Sequence, residues 1–326
     1  MERPRPRRLI RLSASAAVTA LVLGAGPAHA EMRGLEIIAP ASPGGGWDQT
    51  ARAMQAALQQ SGLASGIQVT NIPGAGGTVG LAQFVSGKSA RGNVIMVTGL
   101  IMVGAILTNK APVSLDAVAP IARLTGEYEL IAVPTGSPIK SMGDLVAKLK
   151  ADPGSVSWGG GSAGGTDHIL VGLIAKASGV DPTKINYIAH SGGGEAMSSI
   201  LGGHVTAGVN GLAELMPQVE AGKLRALAIS SEKRVAGVDV PTLKELGIDV
   251  ALTNWRGVMT RRQLRDADKK ALSDMIARMV KSPAWQETLK SRGWIDLYQP
   301  ADQFAEFLKQ DQVRVQGILR EVGLVK

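Results

Sequence analysis

Four glycine clusters in this chain each fall directly after a short β-branched run, and that placement constrains the fold more than any other feature. The clusters are Pro43-Gly44-Gly45-Gly46, Pro73-Gly74-Ala75-Gly76-Gly77, Gly159 through Gly165, and Ser191-Gly192-Gly193-Gly194. The runs ahead of them, Leu35 to Pro40, Gln68 to Pro73, Val156 to Gly161 and Ile185 to His190, belong to a longer series. Val94 to Gly99, Ile121 to Val133, Thr206 to Gly211, Arg225 to Ser230 and Val250 to Thr260 complete it. Helical spacing fills the intervals: Ala51, Met54 and Leu58 share a face, and Phe304, Phe307, Leu308, Val315, Ile318, Leu319 and Val322 form a C-terminal stripe. The alternation predicts an α/β protein of parallel sheets covered by helices. In open α/β sheets ligands bind beyond the carboxyl ends of the strands, where these turns lie. Two clusters early and two in the middle predict two facing rims around one cleft.

Arg3, Arg5, Arg7, Arg8 and Arg11 precede an apolar stretch from Leu12 to Ala25, and Ala28-His29-Ala30 offers a small-x-small cleavage site. This reads as a secretory leader over residues 1–30, cut after Ala30, and places the mature chain in the periplasm. Leu9-Ile10-Arg11 after Arg7-Arg8 fits a twin-arginine signal poorly, so the general secretory route is expected. Five arginines and one acid leave with the leader, so the formal charge falls from +8 to about +4. No nucleic-acid footprint is expected at that charge, although a mildly positive field favours anionic small ligands. The absence of cysteine excludes disulfides, thiol catalysis and a lipidated cysteine.

The loop from Ser42 to Asp48 joins a strand to a helix that begins near Trp47. Amides left free by glycine at the positive end of a helix dipole suit an anion, although three glycines also simply permit a tight turn. The same alternatives hold for Ser162 to Thr166, where two hydroxyls add donors and Asp167 is placed to cap the next helix. Two enzyme patterns overlap this second loop. Gly160-Gly161-Ser162-Ala163-Gly164 matches G-x-S-x-G, with His190 or His204 as a base, but the last third of the chain holds no histidine. Gly159 to Gly164 also matches G-x-G-x-x-G, with Asp181 as a ribose contact, a match that 41 glycines make easy by chance. His168, His190 and His204 are too scattered for a metal site, and no cofactor is implied.

The ordered set of motifs resembles the extracytoplasmic substrate-binding proteins of tripartite tricarboxylate transporters, the Bug family, and most of all their tricarboxylate-binding branch. Its carriers are Ala39 to Asp48, Asn71 to Gly80, Trp158 to His168, Leu201 to Val205 and Ala221 to Ala228, and the likeness runs from Leu35 to Val325. The resemblance implies a type II periplasmic-binding-protein fold, two α/β lobes around a ligand cleft with a hinge crossed twice. It implies lobe 1 from residues 31–130 and 252–326 and lobe 2 from 131–251. A ligand carboxylate would be held by the loop of Ser42, Gly44, Gly45, Gly46 and Trp47 and by that of Ser162, Ala163, Gly164 and Thr166. Ser191, Gly192 and Asn210 match other cleft-lining positions. Arg256 is the candidate for a salt link to a further carboxylate, or else a hinge arginine held by structure. Met259 to Gln263 replaces the family's proline-rich stretch, which leaves the shape of that loop open.

The implied function is non-enzymatic: a monomer that captures a citrate-like tricarboxylate or related carboxylate and delivers it to the membrane components of the transporter. The alternatives are a serine hydrolase using Ser162 and a ligand sensor that reports to a membrane kinase.

Overall fold

A computed structural model of the protein describes residues 1–2, 31–87 and 93–326; the cleavage site and nearly all of the leader read over 1–30 lie outside the described residues. From the N-terminus the elements are β1 (Met32–Arg33), β2 (Glu36–Ala39), α1 (Gly46–Gln60), β3 (Ala64–Ser65), β4 (Gln68–Asn71), α2 (Thr78–Val85), β5 (Val94–Gly99) and α3 (Leu100–Thr108). The middle holds β6 (Val118–Pro134), α4 (Met142–Ala151), β7 (Ser157–Gly160), α5 (Thr166–Ala177), β8 (Asn186–Ala189), α6 (Gly193–Leu201), β9 (Ala207–Gly211), α7 (Leu212–Glu220) and β10 (Leu224–Ile229). The chain ends with β11 (Thr253–Arg261), α8 (Asp266–Met279), α9 (Pro283–Arg292), β12 (Ile295–Pro300) and α10 (Ala301–Glu321).

The strands line up as β4-β2-β5-β11-β6-β9-β7-β8, with β10 and β12 also paired to β6. The expected parallel pairing holds for β4-β2-β5 and for β8-β7-β9. It fails around β6, whose pairings with β9, β10, β11 and β12 are all antiparallel. The reason is length: β6 serves two sheets in turn. It pairs with β11 from Val118 through Tyr128, and with β9 and β10 from Glu129 onward. Two α/β lobes result, each built on a parallel trio and joined through one continuous strand and the return into β11. The segment from Met259 that departs from the family's proline-rich stretch completes β11, with Met259 and Thr260 buried and Thr260 Oγ1 donating to the Val94 carbonyl at 2.9 Å.

Both helical stripes bury as the spacing predicts. Ala51, Met54 and Leu58 are fully covered, and Phe304, Leu308, Val315 and Leu319 carry α10 across the sheet. Trp255 on β11 anchors that contact: its ring meets Phe304 and Phe307 edge-on, and its Nε1 donates to Asp311 Oδ2 at 2.8 Å. The end of α10 reaches the other lobe, where Val322 packs on Gly172 of α5 and Lys176 pairs with Glu321.

Ser230 ties the two crossings together. Its Oγ accepts from the Glu129 amide at 2.9 Å and donates to the Leu252 carbonyl at 2.7 Å, and the Leu252 amide donates to the Ser230 carbonyl. Ser230→Ala would strand two buried backbone groups, each worth about 1–3 kcal/mol when left unpaired. Chemical denaturation of that variant is expected to show a loss of about 2 kcal/mol or more, with an unchanged m-value.

Candidate functional site

Five helices start at one place. The chain leaves β2, β5, β7, β8 and β9 at their carboxyl ends and turns into α1, α3, α5, α6 and α7, as expected for a ligand crevice in an open sheet. The residues that open these helices are glycines, namely Gly45, Gly99, Gly165, Gly192 and Gly211, and none offers a side chain to cap the first turn. Away from the crevice, Ser141 and Asp144 make a capping box on α4 and Ser282 caps α9, although α8 and α10 also start without a side-chain cap. Each of the five crevice starts leaves amide donors and a partial positive charge facing the crevice.

The crevice closes over a narrow cavity of about 40 Å³. All four glycine clusters reach it, through Gly45 and Gly46, Gly76 and Gly77, Gly161 and Ser162, and Ser191 to Gly193. The rims touch. Ser42 Oγ donates to Glu195 Oε1 at 3.4 Å, Thr108 Oγ1 to the Ala163 carbonyl at 3.4 Å, and Thr166 Oγ1 to Asn254 Oδ1 at 3.2 Å, each from one lobe to the other. Gly104 lies so tightly under the Gly164 carbonyl that an added Cβ would collide with it.

Gly45, Gly46, Trp47, Ser162, Ser191, Gly192, Asn210 and Arg256 therefore line the cavity. Ser42, Gly44, Ala163, Gly164 and Thr166 do not; the structure places them where the rims meet or in the loop backbone. Gly44, at φ 84°, donates its amide to Asp48 Oδ2 at 2.9 Å, and Gly164 donates to His168 Nδ1 at 3.2 Å. Asn210 Nδ2 donates to the Gly193 carbonyl at 3.0 Å, which holds the start of α6 against the end of β9.

Of the two readings of Arg256, the contacts favour the arginine held by structure, although it also lines the cavity. Its guanidinium is buried, pairs with Glu127 on β6 and packs against the backbone of Gly46. Burial, with Arg292 nearby, lowers its pKa to about 9. The hydrolase alternative has no base at Ser162. His168 stacks on Tyr187 at 4.0 Å and accepts the Gly164 amide, His190 Nδ1 lies 2.9 Å from the Gly160 carbonyl, and His204 is exposed.

Sequence reasoning missed the acids. Asp167 and Glu214 line the cavity, and Glu129 lies behind them, fully buried. Burial pushes Asp167 up to about 6, against the pull of the Gly161 amide, which donates at 2.6 Å. Burial and then the Asp167 charge push Glu214 up to about 8, and burial with both neighbours holds Glu129 well above the usual carboxylate range. A carboxyl with a raised folded pKa binds its proton in the native state at pH values where the unfolded chain has released it. Its stabilisation is therefore full below the unfolded pKa near 4.5 and is lost as pH rises through about 8. His168, lowered to about 4 by burial, acts oppositely but only below about 6.5. Between pH 6.5 and 8.5 the acids act alone, and the Tm of the ligand-free chain is expected to fall by a few degrees, on the order of 2 kcal/mol. Glu214→Gln should flatten that slope in a thermal melt.

Comparison with known proteins agrees with this architecture. Residues 50–324 match the model of the tripartite tricarboxylate transporter family receptor. The protein BugT of Bordetella pertussis is 30% identical over 299 residues, covering 89% of this chain and 90% of that one. Among solved structures, a protein of R. palustris with adipate superposes with a TM-score of 0.81 at 20% identity, over 89% of this chain and 97% of that one. MatC from Rhodopseudomonas palustris with bound malate superposes at 0.77 and 20% identity, over 88% and 99%.

Proposed function

Because the chain belongs to the receptor family of tripartite tricarboxylate transporters, and is a solute-binding protein rather than an enzyme, we propose that it captures a small carboxylate in this cavity. The loaded protein then presents that solute to the membrane components of its transporter. The observation that carries the reading is the convergence of five uncapped helix starts on one cavity shared by both lobes. Charge-assisted hydrogen bonds from amides contribute roughly 1.5–3 kcal/mol each, so a few of them reach the approximately 8 kcal/mol of a micromolar site before ordering costs.

In this reading residues 31–130 and 252–326 form one lobe, 131–251 the other, and the hinge lies where β6 changes partners beside Ser230. Solute that bridges both rims favours the closed form by its differential affinity. The mature protein, cut after Ala30, acts as a periplasmic monomer. Relatives solved with adipate and malate support small dicarboxylates as ligands. A citrate-like tricarboxylate is the largest member of the class to test, and the acidic lining from Asp167 and Glu214 favours a solute with less negative charge.

A thermal-shift screen of residues 31–326 against mono-, di- and tricarboxylates tests the reading. At a hundredfold over Kd a ligand adds about 2.7 kcal/mol, a rise of roughly 5 °C or more. No shift with any carboxylate would overturn it.

A further inference from the structure

A second cavity, of about 280 Å³, lies at the hinge. Alternate residues of β11 separate it from the crevice: Asn254 and Arg256 line the crevice cavity, whereas Thr253 and Trp255 line this one, so the two sit on opposite faces of the strand. Its walls come from both chain crossings. Tyr128 lies where β6 changes partners, Ser230 and Leu252 are the pair that ties the crossings together, and α10 closes the side with Phe307, Asp311 and Arg314.

Two guanidinium groups, Arg123 and Arg314, meet one nearby carboxylate here, Asp311, and it is already engaged. Its Oδ2 accepts from Trp255 Nε1 at 2.8 Å and its Oδ1 from Arg314 Nε at 2.8 Å. Glu232 also lines the cavity, but Lys244 Nζ holds its Oε2 at 2.7 Å. Arg123 is left over. Its guanidinium lies 3.9 Å over the Phe307 ring, its Nε is buried with no hydrogen-bond partner, and among the described residues no acid pairs with it. Burial lowers its pKa to about 10; the Asp311 charge resists that fall and the Arg314 charge adds to it. A cation held out of water without a counter-ion is costly, and the ring of Phe307 offsets only part of that cost. Stacking also fixes the plane of the guanidinium, so its open edge presents parallel N–H donors, the arrangement that suits a carboxylate or a phosphate.

We propose that this hinge cavity is a second binding site, taking one small oxyanion, a carboxylate or a phosphate, at Arg123 beside Arg314. Two cations against one acid leave a single positive charge, so a monoanion balances it. The site goes beyond the capture of a solute in the crevice and shares no lining residue with it. Its place between the lobes rests on the division given above: Ser230 and Glu232 fall within residues 131–251, Arg123 and α10 outside them. An anion that touches both sides favours the lobe arrangement in which it does so, which makes it an effector of closure.

Isothermal titration of residues 31–326 with inorganic phosphate and with benzoate, at constant ionic strength, tests the site. At least one probe is expected to bind. Gly46→Val, which disables the crevice, should leave its affinity within about threefold, whereas Arg123→Met should weaken it about tenfold or more. Should Arg123→Met not fold, Arg123→Lys, which keeps the charge but not the paired donors, is expected to weaken it at least about threefold. Binding that Gly46→Val abolishes and Arg123→Met leaves intact would put the anion in the crevice and overturn the site. No binding of either probe would overturn it too, and would leave carboxylate capture in the crevice standing. Closure is read separately: the chain has no cysteine, so spin labels at Gln83→Cys and Ser198→Cys report the distance between the lobes. The bound probe is expected to shift that distance toward the closed arrangement, and an unshifted distance would overturn the effector role.

Discussion

Glu127→Ala is expected to lower the stability of the mature protein by about 3–5 kcal/mol, a fall in Tm of roughly 10 °C. The variant removes the partner of an arginine that is only 2% exposed, and among the described residues no other acid pairs with it. The ring of Trp294 lies 5.4 Å from that guanidinium and offers only a weak cation–π contact in exchange. Most of the loss reflects the stranded cation rather than the worth of the pair. The double variant Glu127→Leu with Arg256→Met should therefore recover most of the stability, because a buried ion pair replaced by apolar side chains of similar size is often neutral or better. Urea denaturation of the two variants checks this. A loss below about 1 kcal/mol for Glu127→Ala would mean that Arg256 is not locked by Glu127 and is free for ligand, the other of the two readings its place in the sequence allowed.

Gly46→Val is expected to abolish measurable ligand binding. Gly46 is the first residue of α1, and a Cβ there would enter the space of the Arg256 guanidinium. A β-branched side chain cannot share that space, so the loop must swing outward and carry the amides from Gly45 to Trp47 away from the cavity. Two such bonds at roughly 1.5–3 kcal/mol each are worth on the order of a hundredfold or more in affinity. Titration of the best solute against this variant is the check, with circular dichroism to establish that it folds. Affinity within about threefold of the parent would show that the α1 loop does not hold ligand.

The fold was largely legible because its signals are local. The β-branched runs marked β2, β4, β5, β6, β7, β8, β9, β10 and β11 to within a few residues, and each glycine cluster reached the crevice. Strand direction was less legible: β6 reads as one apolar run, and only the assembled sheet reveals that its two halves serve different partners in antiparallel pairing. β12, from Ile295 to Pro300, went unread because its residues are only partly buried and carry weak alternation.

The rims of the site were legible for the same reason as the turns, since a helix start opened by glycine after a strand is a sequence pattern. Its acidic side was not, because Glu127 and Glu129 sit inside a run read as core. There was a signal. Two carboxylates within a buried strand are costly unless partnered or protonated, and that expense marks a function. Glu214 carried another: it stands three residues past Gly211, much as Asp48 stands three past Gly45 and Glu195 three past Gly192. Asp48 and Glu195 accept amides of their own loops, Gly44 and Ser191, whereas Glu214 turns into the cavity. The partner of Arg256 was beyond reach, since Glu127 lies 129 residues away in the chain.

The most direct test of the account is amide hydrogen exchange of residues 31–326 with and without the tightest carboxylate solute. Slower exchange is expected at both rims together, in segments covering Gly45 to Asp48 and Gly161 to Thr166 and again at Ser191 to Gly194, with little change elsewhere. Protection confined to one rim, or appearing away from the cavity, would contradict capture of a carboxylate between the two lobes.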